Sequence, residues 1–212
     1  LGGKFKAGFW NPIWLTLQAG PEGVNGQLEV VIPDGDQVPV IYGDQTAGEL
    51  DLAAGETANL LLYAKTGPLA ASVRVQLRGE AGAIWSQDIT SQLTQPLLPT
   101  QELIVGIGPA VDLESVRQLV KRPPVTALAV SQVTAASDLP DRWWGYEGVD
   151  AIVLTTSDGN MLSQMSSDQC IALIQWVQLG GKLVLCVGGG GKKLMAADSP
   201  WSAALRRAAS ST

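Results

Sequence analysis

The chain has 212 residues, enough for one large domain or two modest ones, and its 46% hydrophobic and 16% charged content argues against global disorder. Basic residues number 14 against 20 acidic ones, a formal charge of −6; residues 1–98 hold 5 and 10, residues 99–212 hold 9 and 10. No basic face able to neutralise a run of phosphates can be assembled from these, which argues against a nucleic-acid partner.

The sequence contains no histidine, so neither a Ser-His-Asp nor a Cys-His arrangement can be built from this chain alone. A metal site would have to rest on carboxylates, because the spacing of Cys170 and Cys186 fits no zinc motif. No metal or cofactor is expected. No apolar run approaches the ~20 residues that span a bilayer. The first residue is Leu1 rather than Met, so the chain reads as a processed or excised piece, and any leader or membrane anchor would lie outside it.

Residues 12–90 show short segments of period-two hydrophobicity: Leu15/Leu17/Ala19, Leu28/Val30/Ile32, Val38/Val40/Tyr42, Leu50/Leu52, Leu60/Leu62, Val73/Val75/Leu77 and Ile84. Turn residues separate them, among them Gly20-Pro21, Asn25-Gly26, Asp34-Gly35, Ala54-Gly55 and Gly67-Pro68. Seven such segments at about ten-residue spacing, with no helical stretch between, predict an Ig-like antiparallel β-sandwich over residues 1–98. Trp10 and Trp14 flank Pro12 at its first strand and read as core and edge. Asp34-Gly35-Asp36 offers too few carboxylates for calcium and reads as a turn.

The pattern changes at the proline-marked linker Gln95-Pro96-Leu97-Leu98-Pro99. Continuous apolar runs follow at Leu103–Ile107, Ala127–Val130, Ala151–Leu154 and Leu183–Val187, and unalternated runs predict strands covered on both faces. Asp112 is placed to N-cap a helix with Leu113, Val116, Leu119 and Val120 inward, stopped by Pro123-Pro124. Ser166 with Gln169 has capping-box spacing for a helix burying Cys170, Leu173, Ile174 and Val177, ended by Gly180-Gly181. This order predicts a doubly wound parallel α/β domain over residues 99–212, with four strands where the flavodoxin-like fold has five, as in a domain cut short or completed by further sequence.

Residues Gly145 to Leu154 (GYEGVDAIVL) and Gln175 to Leu185, with Trp176-Val177, Gly180-Gly181 and Lys182-Leu183-Val184-Leu185, resemble the class I glutamine amidotransferase-like domains. The likeness covers about residues 102–190 and is greatest to domains fused to β-sandwiches in extracytoplasmic or membrane-anchored bacterial proteins. It implies a flavodoxin-like fold, an extracytoplasmic location and, in active members, a nucleophilic cysteine within Gly-x-Cys-x-Gly. Val184-Leu185-Cys186-Val187-Gly188 matches at Cys186 and Gly188, with Val184 in place of the first glycine. The family's His-x-Glu element has no counterpart. A thiol without a base to activate it is a poor nucleophile at neutral pH, so Cys186 is expected in the strand core, with the nucleophile role the alternative.

Three further constellations stand out. The run Gly188, Gly189, Gly190 and Gly191, followed by Lys192 and Lys193, lies where a strand turns into a helix and is a candidate anion cradle, against a plain loop. Gly106-Ile107-Gly108 follows a strand but has Val111 where a dinucleotide fingerprint needs its third glycine. Trp143, Trp144 and Tyr146 form the densest aromatic patch and are candidate interface residues, against packing at the domain junction. The sequence-level expectation is a non-catalytic interaction protein with a protein partner.

Overall fold

The computed structural model describes residues 1–43, 49–67, 72–93, 96–109, 111–119, 123, 127–157, 160–194, 196, 199 and 201–202. It is a strand-rich mixed α/β chain with antiparallel sheets and one parallel sheet. The chain divides into two compact units, Phe5–Pro96 and Leu97–Thr212, and Leu1–Lys4 belongs with the second. The sequence places that boundary two residues later and assigns the first four residues to the N-terminal unit. Leu1 is instead buried in the second unit's core, and the Ser131 hydroxyl donates to its carbonyl at 3.1 Å.

In the first unit each of the seven alternating segments overlaps a strand. β1 (Trp10–Gln18) pairs antiparallel with β5 (Thr57–Lys65), a two-stranded sheet. The other sheet runs β3 (Pro39–Gly43), β2 (Val24–Pro33), β6 (Arg74–Gly79) and β7 (Gly82–Asp88), with β4 (Leu50–Leu52) also on β2. Alternation puts Leu28, Val30, Ile32, Leu62, Val75 and Leu77 into one apolar core, removing their surface from water at about 25 cal/mol per Å2. Asn25-Gly26 is not a turn: both residues lie inside β2, where a methyl on Gly26 would meet the Arg78 carbonyl at 2.7 Å. Asp34 does make the expected turn, its Oδ1 accepting from the N–H groups of Asp36 and Val38, each at 2.9 Å.

In the second unit β8 (Glu102–Ile107), β9 (Leu128–Val133), β10 (Ala151–Thr155) and β11 (Lys182–Cys186) form one parallel sheet in the order β9-β8-β10-β11. β9 runs three residues past the apolar stretch, because in-register pairing with β8 draws Ser131, Gln132 and Val133 into the ladder. Leu103, Val105, Ile107, Ile152 and Leu154 are buried on the face that packs α3 (Ser167–Gln178) through Cys170, Ala172, Leu173 and Trp176. Before α3 lies the short helix α2 (Asn160–Gln164). The Ser166–Gln169 capping box is fully formed. Gly180 takes φ +108° past the helix end, and a methyl on Gly181 would overlap the Trp176 ring at 2.3 Å.

Helix α1 (Leu113–Leu119) starts as expected at Asp112, whose carboxylate accepts from the Ser115 hydroxyl and N–H. Those bonds hold the Asp112 carboxyl below its usual range. Its predicted inward face is only partly buried: Leu113 is covered, Val116 and Leu119 are exposed, and Val120 lies outside the described residues.

Candidate functional site

The carboxyl ends of β8, β10 and β11 converge on residues 106–109, 155–157 and 186–191, the part of the second unit where the family likeness would put chemistry. Cys186 is the last residue of β11 and pairs in register with Thr155 of β10. The expectation of a core thiol is wrong: Cys186 is exposed and unoxidised. Among the described residues β11 is an edge strand that buries one face only, so Leu183 and Leu185 reach the core while Lys182, Val184 and Cys186 face out. The apolar run in the sequence conceals that alternation.

Backbone geometry at Cys186 is that of an ordinary strand end. Gln37 is the one non-glycine residue with positive φ among the described residues, so Cys186 does not sit on the strained turn that lifts a nucleophile out of a sheet. Its thiol makes no hydrogen bond or ion pair to a described residue.

The glycine run is organised by Thr156, which is 1% exposed. The Thr156 Oγ1 accepts the Gly188 N–H at 2.9 Å and its carbonyl accepts the Gly190 N–H at 2.7 Å. Its own N–H donates to the Cys186 carbonyl at 3.1 Å, and the Gly191 N–H donates to the Gly188 carbonyl at 3.0 Å. Three of the N–H groups an anion cradle would present are therefore committed within the protein. The four glycines do not converge on a cradle, and Gly190 and Gly191 are buried, while the Lys192 side chain is exposed. That of Lys193 lies outside the described residues. Helix α4 (Gly191–Leu194), which follows, has one turn. Glycine is required here for close approach: a methyl on Gly188 would stand 2.8 Å from the Ser157 Cα, and one on Gly191 would stand 2.4 Å from the Val187 side chain.

Gly108 has the same use. Gly108 takes φ +102°, and a methyl there would meet the Thr155 carbonyl at 2.8 Å; one on Gly106 would meet the Gln132 side chain at 2.4 Å. Gly108 thus lets its backbone approach that of Thr155, whereas Gly106 meets only the movable end of the Gln132 side chain.

Of the aromatic candidates Tyr146 is inside, while Trp143 and Trp144 are half-buried. Tyr146 is fully buried, 6.0 Å from the Trp176 ring, with its hydroxyl donating to the Pro140 carbonyl at 3.4 Å. Trp143 packs against the same core and meets the half-buried Trp144 edge-on at 5.8 Å. The 3-10 turn Trp143–Tyr146 sets Tyr146 against Trp176 of α3, and its full burial leaves Tyr146 unable to serve an interface. Among the described residues no group of three or more Cys, Asp or Glu side chains is placed to hold a metal ion.

No family model matches the chain, and no curated protein matches it. A solved carbohydrate esterase family 2 enzyme plus carbohydrate-binding domain from Corynascus thermopiles (Myceliophthora fergusii) is similar at 12% identity, over 98% of this chain and 86% of that one, with a TM-score of 0.24. A score that low does not indicate a shared fold, and no inference rests on it.

Proposed function

We propose that the chain is a non-catalytic interaction or scaffold protein of the extracytoplasmic space, an Ig-like β-sandwich followed by a degenerate class I glutamine amidotransferase-like domain. Two antiparallel sheets around one core support the sandwich. The parallel order β9-β8-β10-β11 supports a doubly wound sheet, since in chain order it reads 2-1-3-4, the flavodoxin-like series without its fifth strand. The extracytoplasmic placement rests on the sequence likeness to sandwich-fused relatives.

One observation carries the loss of chemistry. At the family's nucleophile position, Cys186 ends an unstrained edge strand, and the N–H groups of the following turn are tied to Thr156 and Gly188. A nucleophile elbow needs the opposite, a sharp turn with free N–H groups to hold an oxyanion. The competing reading, a cysteine amidotransferase or hydrolase whose base comes from outside this chain, draws on the exposure of Cys186.

Glutamine hydrolysis by the purified chain, compared with the Cys186→Ser variant, tests the proposal. Ammonia release at the buffer rate from both is the expected result. Release above that rate, abolished in Cys186→Ser, would overturn it. No helix among the described residues is long and apolar enough to cross a membrane.

A further inference from the structure

We infer that the free edge of β11 is a homodimer interface, at which β11 of a second copy of this chain pairs antiparallel and joins two parallel sheets into one. The inference goes beyond the proposed function and rests on the parallel sheet of the second unit. That sheet has two edges, and the structure treats them differently. On β9 the Val133 carbonyl accepts the Gly108 N–H, on the side of β8, so by alternation the Gln132 carbonyl points off the edge. Gly2 lies against it, since a methyl there would stand 2.9 Å from that oxygen, and the Ser131 hydroxyl donates to the Leu1 carbonyl. The β9 edge is thus partly covered by the chain itself. Beyond β11 no strand pairs among the described residues.

The Cys186 carbonyl accepts the Thr156 N–H at 3.1 Å and so points toward β10. Backbone groups alternate in direction along a strand, so the N–H and C=O groups of Leu183 and Leu185 point off the free edge. Strand edges are ordinarily defended by proline, bulges or charge. β11 has no proline, pairs with β10 in unbroken register from Lys182 to Cys186, and carries one charge, at its first residue. Its outer face is apolar in the middle. Val184 is 52% exposed there, and Val187, just past the strand, is 73% exposed.

The occupant that fits this edge is a copy of itself. With a two-fold axis through Val184, normal to the sheet, Leu183 meets Leu185 of the second copy and Leu185 meets its Leu183. Both are hydrogen-bonded pairs, so the outward backbone groups of these residues all find partners. Val184 meets its own counterpart at the axis, in the close pairing that sets Cα atoms about 4.5 Å apart. Lys182 falls opposite Cys186, so the two ammonium groups stand at opposite ends of the ladder. Lys182 is the sole charged residue from Leu179 to Gly191, and no like charges meet. The axis also keeps each face together. Leu183 and Leu185, which pack on the core, adjoin the same pair of the second copy, while the two Val184 side chains form an apolar cross-strand pair outside. A basic strand would meet repulsion at Lys182, and an acidic one would find a single ammonium. Pairing of this kind closes on itself, giving a dimer and no filament.

Sedimentation of the intact chain through a concentration series tests this. A reversible passage from 22.2 kDa to twice that mass is expected. Val184→Lys, at an exposed position that leaves the monomer folded, sets two ammonium groups against each other at the axis. It should weaken association by about tenfold or more. Mixing it with Val184→Glu should restore a dimer, since opposite charges then meet. Ile84→Lys, at an exposed apolar residue of the first unit, should change nothing. Val184→Cys combined with Cys186→Ser should form an intermolecular disulfide on mild oxidation, because Cα atoms about 4.5 Å apart lie within the range a disulfide bridges. A monomer at every concentration overturns the inference, as do larger oligomers, association that Val184→Lys leaves unchanged, or absence of that disulfide. Each of these outcomes leaves the non-catalytic reading standing, because that falls only to Cys186-dependent glutamine hydrolysis.

Discussion

Thr156 and Gly188 are joined by a hydrogen bond from a backbone N–H to a buried hydroxyl oxygen, 2.9 Å long, across the ends of adjacent parallel strands. This contact, with the Gly190 N–H on the Thr156 carbonyl, turns the glycine run into a fixed corner. Replacing Thr156 with valine keeps the shape and removes the acceptor. The Gly188 N–H then loses its partner, and because Gly188 is exposed and water can reach it the cost is about 1 kcal/mol, that of one hydrogen bond. Denaturant unfolding of Thr156→Val should show that loss, and Thr156→Ser, which keeps the oxygen, should recover most of it. Equal stability of Thr156→Val and the parent would show that the bond is not formed in solution.

Asn11 is the polar hub of the first unit. Its Nδ2 donates to the carbonyls of Lys6 and Phe9 and to the Thr66 hydroxyl, at 3.1, 2.7 and 3.1 Å, and its Oδ1 accepts the Lys6 N–H at 3.2 Å. The residue is 5% exposed, so water cannot substitute for the amide. Asn11→Ala should destabilise the chain by about 3 kcal/mol, since several buried groups lose their partner together. Asn11→Asp should also destabilise it, because a carboxylate accepts and cannot donate to two carbonyls. Thermal melts of both variants decide the point.

Gln169 does more than close the capping box. While its Oε1 accepts the Ser166 N–H at 2.9 Å, its Nε2 donates to the carbonyls of Ala136 and Leu139 at 2.7 and 2.9 Å, tying α3 to the loop after β9. Ser166→Ala removes one cap bond and should cost about 1 kcal/mol. Gln169→Ala strips two further carbonyls of their donor and should cost more than Ser166→Ala. The two variants compared in one urea series test the ranking, and the reverse order would mean that the loop carbonyls are already solvated.

Strand positions and helix caps were legible because period, apolar runs and capping chemistry are local properties. Ser166, Gln169, Asp112 and Asp34 all act as their spacing implies. What could not be read is coverage. An apolar run such as Leu183–Val187 looks alike in the middle and at the edge of a sheet, so the exposure of Cys186 depends on the sheet order. Thr156 gave no sign of its role, because its partners lie 32 and 34 residues away along the chain. Trp14 is a different matter. Assigning Leu15 and Leu17 inward already places Trp14 outward by alternation, in keeping with its reading as an edge residue.

The two thiols report on both halves of this picture. Cys186 is exposed and Cys170 is buried on α3, so a thiol reagent should modify one cysteine quickly in the native chain and the second only on unfolding. Burial pushes the Cys170 thiol above its ordinary value. A raised acid pKa means that the unfolded chain releases this proton first. The stabilising contribution is thus complete below about pH 9 and declines as pH climbs through the folded value. Tyr42, raised by burial and by Asp34, acts in the same direction at higher pH. Cys170→Ala should therefore lower stability at neutral pH, by the loss of packing, and flatten its decline above about pH 9 relative to the parent. Denaturation midpoints taken every half pH unit would show it; parallel curves would mean that Cys170 reaches solvent in the native state, and native-state labelling of both thiols would agree.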